Sequence, residues 1–272
     1  MMKLGIVGLT ALAVVALPIS ANADQLDDII SSGTLRCAVT LDFPPMGFRD
    51  AKGDPAGFDV DTCKDLAKAL GVKPEVIDVP FPDRIPAIVT NRADVAVAST
   101  SDTLERAKTI GLSIPYFSFT FAIVTRADSA VKGYDDLAGL KVGAVSGVFE
   151  AVKLEADIKA WNKGGSFRAY QNQNDVFLAL QQGQIDATVV TNTVAASTVK
   201  DGKFGAMKVP ADAPWAPDFV SIAALREEYG VLRYLDLFVH QQVRTGRYEE
   251  LFKQWIGKDV TPPRLTLDKV YY

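Results

Sequence analysis

One histidine, His240, and two cysteines, Cys37 and Cys63, are all the chain has of the residue types that most often ligate metals or act as nucleophiles beside a base. A lone histidine leaves no Ser/His/Asp or Cys/His machinery in its usual form. Two cysteines are too few for a structural zinc site. No Gly-rich phosphate loop and no metal-ligand spacing occurs. Clusters of positive charge are missing too: 29 Lys+Arg lie scattered against 33 Asp+Glu, which argues against nucleic acid as a partner. Past the N-terminal segment no apolar run approaches a membrane span. No metal, cofactor or catalytic residue is therefore expected.

What is present begins with Lys3, an apolar stretch from Leu4 to Ile19, and Ala21-Asn22-Ala23, which fits a processing site. Residues 1–23 read as a secretory signal peptide, with the mature chain starting at Asp24 in the periplasm. A membrane anchor is the competing reading; the short apolar stretch ending at Pro18 disfavours it. In an oxidising compartment Cys37 and Cys63 form a disulfide more often than not, two buried free thiols being the alternative. Roughly 250 residues remain, enough for two modest α/β lobes.

Strand-like and helical patterns alternate along the chain. Strands are expected at 35–39, 75–79, 94–98, 117–125, 141–145, 167–170, 187–190 and 219–225. Helices are expected at 58–70, stopped by Gly71, at 82–91, 148–160, 175–182, 230–245 and 248–255, before an extended tail at Pro262 and Pro263. The apolar, aromatic run 117–125 is long enough to leave one lobe for another, and Ala213-Pro214-Trp215-Ala216-Pro217 stiffens a return. The expected organisation is lobe 1 over 24–124, lobe 2 over 125–218, and lobe 1 again over 219–272, with a cleft between.

The run Ala98 to Arg106 carries the most chemistry: hydroxyls, free backbone amides and a guanidinium at the end of a hydrophobic strand. Strand ends that meet helix starts are where α/β proteins hold ligands. Arg106 offers a planar fork that grips a carboxylate through two parallel hydrogen bonds. A salt-bridged surface arginine is the plainer reading of Arg106, and core packing is the plainer reading of Phe43 and Phe81.

The chain resembles the extracytoplasmic solute-binding proteins of polar amino-acid ABC importers, bacterial solute-binding family three. The matching motifs include Gly33-Thr34-Leu35-Arg36, Phe43-Pro44-Pro45, Gly57-Phe58-Asp59-Val60-Asp61 and Arg84-Ile85-Pro86-Ala87-Ile88. Others are Thr103-Leu104-Glu105-Arg106-Ala107, Ser113-Ile114-Pro115-Tyr116-Phe117, the segment Asp136 to Gly143, Gly246-Arg247-Tyr248 and Lys253-Gln254-Trp255-Ile256-Gly257. The resemblance implies a type II periplasmic-binding-protein fold: α/β, two lobes, two hinge strands and the ligand in the interlobe cleft. It implies that Phe43 and Phe81 stack on the ligand's carbon skeleton, that Ser99 supplies a backbone group and Ser101 a hydroxyl, and that Arg106 pairs with a carboxylate. Ser146 and the amides from Val148 would complete the clamp. The implied partners are a small carboxylate or zwitterion and the membrane permease of an ABC importer, with the protein a monomer and not an enzyme.

Two departures bear on the ligand. Relatives that bind α-amino acids usually carry an Asp where this chain has Thr191, followed by Asn192, and a Thr where it has Val148. A buried ammonium without a counter-charge is costly. Either Asp42 or Asp218 replaces the missing charge, or a quaternary or secondary amine rests on Phe43, Phe81, Tyr116 or Trp215. Trp215 equally reads as a hinge brace, and Asp59 and Asp61 as caps of their helix. The same fold also hosts cyclohexadienyl dehydratases, which act on prephenate-like acids with cleft carboxyl groups; Glu150 and Asp42 are the candidates for such a role here, and a soluble ligand sensor is the other alternative.

Overall fold

The computed structural model describes residues 24–258 and 260–262. The expected signal peptide lies outside the described residues, as does the tail from Pro263 on. The fold is α/β and two-lobed. Lobe 1 is built on a five-stranded sheet in the order Lys73–Asp78, Thr34–Val39, Val95–Ser101, Asp218–Leu225, Ile110–Phe119. The first three strands run parallel, with Thr34 opposite Lys73 and Cys37 opposite Val95; Asp218–Leu225 runs antiparallel to them, and Ile110–Phe119, antiparallel to Asp218–Leu225, again points the same way as the first three. Val95–Ser101 is central and buried along its whole length, which is why it reads in sequence as an uninterrupted run of small and apolar side chains.

Lobe 2 repeats the plan in the order Ser166–Tyr170, Lys141–Val145, Ala187–Thr191, Phe121–Arg126, Met207–Lys208. The chain changes sheets at Thr120, between Phe119, which pairs with Asp218 in the first sheet, and Phe121, which pairs with Thr191 in the second. The apolar run expected as one strand is thus two. The expected boundary after residue 124 falls inside Phe121–Arg126, which is paired along its length with Ala187–Thr191. The return crosses between Ala213, whose N–H donates to the Phe121 carbonyl, and Asp218. Asp218 itself belongs to the first sheet, one residue before the expected start at 219. No local pattern marks Thr120, because both halves of the run are buried and only long-range pairing tells them apart.

Helix Phe58–Leu70 packs Phe58, Cys63, Leu66 and Ala67 into the lobe 1 core and ends at Gly71 in the left-handed conformation. It begins after Gly57, where a side chain would meet the Met46 carbonyl oxygen at 2.3 Å. Cys37, on strand Thr34–Val39, and Cys63, on this helix, are joined as a disulfide. Helix Gln25–Ser32, capped by the Asp24 side chain, and the first part of Ile110–Phe119 were not among the sequence expectations. The alternation Ile110, Leu112, Ile114, Tyr116 is the signal that marks the latter as a strand.

Candidate ligand-binding cleft

The site is organised around an irregularity in the central strand. Opposite Val95–Ser101 the register shifts between Ser221 and Ala223, and Ser99 takes a left-handed φ of 49°. A non-glycine residue is held there only if its surroundings supply the bonds. They do: the Ser99 N–H donates to the Tyr116 hydroxyl at 3.0 Å and its Oγ donates to Asp59 Oδ2 at 3.0 Å. Its carbonyl accepts from Arg84 Nη1 at 2.9 Å. Tyr116 in turn donates to Asp59 Oδ1 at 2.7 Å. Asp59 is thus not a solvated cap of its helix but a buried acceptor, and burial pushes its carboxyl up to about 7 against the pull of those two donors and of Arg84.

Arg84 is the residue that sequence reasoning left without a role. It is buried, and its Nε donates to the Phe81 carbonyl at 3.0 Å and Nη1 to those of Ala98 and Ser99. Its Nη2 reaches the Gly147 carbonyl of lobe 2 at 2.8 Å. The guanidinium also lies 4.5 Å from the Phe81 ring centre. The sequence hint was its place in Arg84-Ile85-Pro86, three residues after Phe81.

Arg106 stands beside it. Its Nη1 donates to the Ser101 carbonyl at 3.1 Å and its Nη2 to the same Gly147 carbonyl at 2.7 Å. Ser101 Oγ donates to Asp218 Oδ2 at 2.8 Å. From lobe 2, Glu150 in the first turn of helix Phe149–Trp161 enters the same cluster and is buried. Burial raises Glu150 to about 7, with Asp218 pushing the same way and Arg84 and Arg106 opposing. Burial likewise raises Asp218 to about 6, and it lowers both guanidiniums.

The structure brings Phe43, Phe81, Ser99, Ser101 and Arg106 to the lobe 1 side of the interface. Phe43 lies edge-on to Phe81 at 4.9 Å and to Phe119 at 6.1 Å. Opposite them is the loop Ser146-Gly147-Val148. Ser146 is half-buried with its N–H on the Tyr170 carbonyl, and Val148 is half-buried against the apolar core. The other predicted residues sit apart. Thr191 is buried at its strand end, its Oγ1 3.2 Å from that of Thr193. Asn192 is exposed on the hinge side, its N–H donating to the Thr120 carbonyl, and it lines a groove of about 260 Å³ with Phe119 and Phe219. Asp42 is spent elsewhere: it accepts the Gln173 N–H of lobe 2 at 2.6 Å. Trp215 packs on Phe121, Tyr134 and Phe149, the brace at the return crossing.

This chemistry, a buried polar cleft between two α/β lobes, agrees with the comparison to known proteins. The sequence model of the bacterial extracellular solute-binding proteins, family 3, matches residues 35–258. The chain belongs to this family. Within it, a probable histidine-binding protein of Neisseria gonorrhoeae is 27% identical over 262 residues, 92% of this chain and 94% of that one. The solved structure of an ancestral arginine-binding protein bound to arginine superposes with a TM-score of 0.77 at 32% identity, covering 83% of this chain and 99% of that one. A cyclohexadienyl dehydratase of Pseudomonas aeruginosa is 40% identical over a shorter stretch of 110 residues, 39% of this chain and 41% of that one. Family members of both kinds, binding proteins and an enzyme, thus share this fold.

Proposed function

We propose that this protein is a monomeric periplasmic solute-binding protein, exported by residues 1–23, that captures an amino acid or related carboxylate-bearing zwitterion and delivers it to the permease of an ABC importer. The observation that carries the reading is Arg106: a half-buried guanidinium on the lobe 1 face that reaches the backbone at the head of a lobe 2 helix. A ligand carboxylate at that point meets the guanidinium fork from one lobe and the amides that open helix Phe149–Trp161 from the other. Phe43 and Phe81 flank the carbon skeleton, and Ser99, Ser101, Ser146 and Val148 supply polar and backbone contacts. Because both lobes contribute, the ligand favours the closed arrangement and shifts the population toward it.

The test is thermal unfolding of the protein against common amino acids, betaines, secondary-amine conjugates and amine-free carboxylates. A ligand at a hundred times its Kd stabilises by roughly 2.7 kcal/mol. Arg106→Ala is expected to weaken that ligand at least tenfold without lowering the melting temperature of the unliganded protein; undiminished binding sinks the carboxylate assignment.

A second reading has one observation in its favour. Glu150, buried in the cleft and raised to about 7, has the protonation behaviour of a general acid, and a dehydratase is among the relatives. Turnover of a prephenate-like cyclohexadienyl acid that Glu150→Gln abolishes would replace transport by catalysis.

A further inference from the structure

Helix Gln25–Ser32 opens lobe 1, and helix Tyr229–Arg244 follows the strand Asp218–Leu225 on the return from lobe 2. Their N-termini meet, and each is capped by the other's entry residue. Asp24, the N-cap of the first helix, divides its carboxylate. Its Oδ1 accepts the Leu26 N–H of its own helix at 3.0 Å, and its Oδ2 accepts the Gly230 N–H of the other at 2.9 Å. Glu228, the N-cap of the second, makes no side-chain bond to its own helix; its Oε2 accepts the Gln25 N–H at 2.9 Å. The first N–H groups of a helix have no partner within it, so this exchange satisfies three of them and joins segments 206 residues apart. The fit is close: a Cβ at position 230 would lie 1.9 Å from Asp24 Oδ2. Charge is left over. Two helix ends supply roughly half a positive charge each against two carboxylates, so about one negative charge stays uncompensated. Asp27 and Asp28 in the first turn add to it. The basic side chains nearest in sequence are engaged elsewhere, Arg226 with Glu227 and Arg233 with Asp236.

Asp24 is also the residue that becomes the N-terminus when the leader is removed after Ala23. We propose that this removal tightens lobe 1: the α-ammonium freed on Asp24 is the cation of the joint and pairs with Glu228, so the processed chain ties its first helix to its returning helix more firmly than the precursor does. The proposal rests on the export reading of residues 1–23. Hydrolysis of the Ala23–Asp24 peptide bond consumes one water and leaves a carboxylate on Ala23 and an amine on Asp24, protonated at neutral pH. Position supports the pairing. The Asp24 nitrogen is one residue from the Gln25 nitrogen, and covalent dimensions alone hold it within about 7 Å of Glu228 Oε2. Before cleavage the same nitrogen is a neutral amide, and the joint keeps its excess negative charge. The chain is therefore easier to unfold until its leader is gone.

The experiment compares residues 24–272, released from a fusion tag without added residues, with residues 21–272, by urea unfolding at neutral pH. Expected is a ratio of folded to unfolded chain about fivefold larger for the chain that begins at Asp24, the upper range for a pair that is not fully buried. The difference is expected to vanish when both chains carry Glu228→Gln. Equal ratios in the parent pair overturn the proposal, and so does a difference that persists with Glu228→Gln. Asp24→Ala and Gly230→Ala check the joint in the chain that begins at Asp24. Each is expected to lower the ratio tenfold or more, and the double variant by much less than the product; fully additive losses overturn the joint. Mass spectrometry of the protein recovered from the periplasm of an exporting host tests the reading beneath. A first residue other than Asp24 overturns the processing step and the switch with it, whereas the urea comparison judges the pairing independently.

Discussion

Asp59 shows what one residue does for this cleft. Its two oxygens take the hydroxyls of Ser99 and Tyr116 and so hold the left-handed turn that aims the backbone at Arg84. The cost is a buried carboxyl that keeps its proton up to about 7 in the folded chain, against 3.8 ordinarily. Between those values the folded state binds more protons than the unfolded one, so stability falls as pH rises, by up to about 1.4 kcal/mol per pH unit for one such group. Glu150 and Asp218 act in the same direction. Urea unfolding from pH 4.5 to 7.5 is expected to show declining stability, and Asp59→Asn to flatten the decline; an unchanged slope in that variant refutes the assignment. None of this was legible from Gly57-Phe58-Asp59-Val60-Asp61 alone, where an acidic residue in a first helical turn reads as a cap. Asp61 does remain near the surface, accepting from Trp255 Nε1 at 3.0 Å.

Among elements, the loop before helix Phe149–Trp161 decides how closely the lobes meet. Gly147 has φ of 81°, and a side chain there would lie 3.2 Å from Pro82 Cα across the interface. Its carbonyl receives both arginines. Gly147→Ala therefore pays for a left-handed alanine, about 1–2 kcal/mol, and wedges the contact besides. Ligand affinity should fall about tenfold or more by calorimetry, while circular dichroism shows both lobes folded; an alanine variant that binds normally shows the approach to be looser than drawn. The pairing of helix Phe58–Leu70 with strand Thr34–Val39 is fixed differently, by the disulfide between residues 26 apart. Cys63→Ser, compared with the parent protein by chemical unfolding, should lose about 2–4 kcal/mol. These elements were readable from hydrophobic period and from the stop at Gly71; the division of 117–125 at Thr120 was not, since it depends on which sheet each half joins.

For the whole molecule the quantity of interest is the closing equilibrium. Besides the two arginines, the Asp42 carboxylate of lobe 1 accepts the first amide of the lobe 2 helix Gln173–Gln181 at 2.6 Å. A hydrogen bond to a charged acceptor contributes about 1.5–3 kcal/mol, and this one exists only when the lobes are together. Asp42→Ala should thus shift closure toward the open form by about tenfold or more. Small-angle scattering would register a larger radius of gyration, and the apparent ligand affinity would fall in proportion. Equal radii and equal affinities would mean that Asp42 caps its helix without controlling the lobes.

The sequence by itself determined the α/β class, the family, most strands and helices, and the placing of Cys37 and Cys63 on neighbouring elements. These rest on local signals: period, caps, stops and motif spacing. Tertiary structure decided the site's electrostatics. Arg84 meets Gly147 across 63 residues, Ser101 meets Asp218 across 117, and Asp42 meets Gln173 across 131. Sheet register and lobe contact create these juxtapositions. Only there do burial and neighbouring charge set which carboxyl is hydrogen-bonded and which keeps its proton, because the energy of a charge depends on its surroundings and not on its place in the chain.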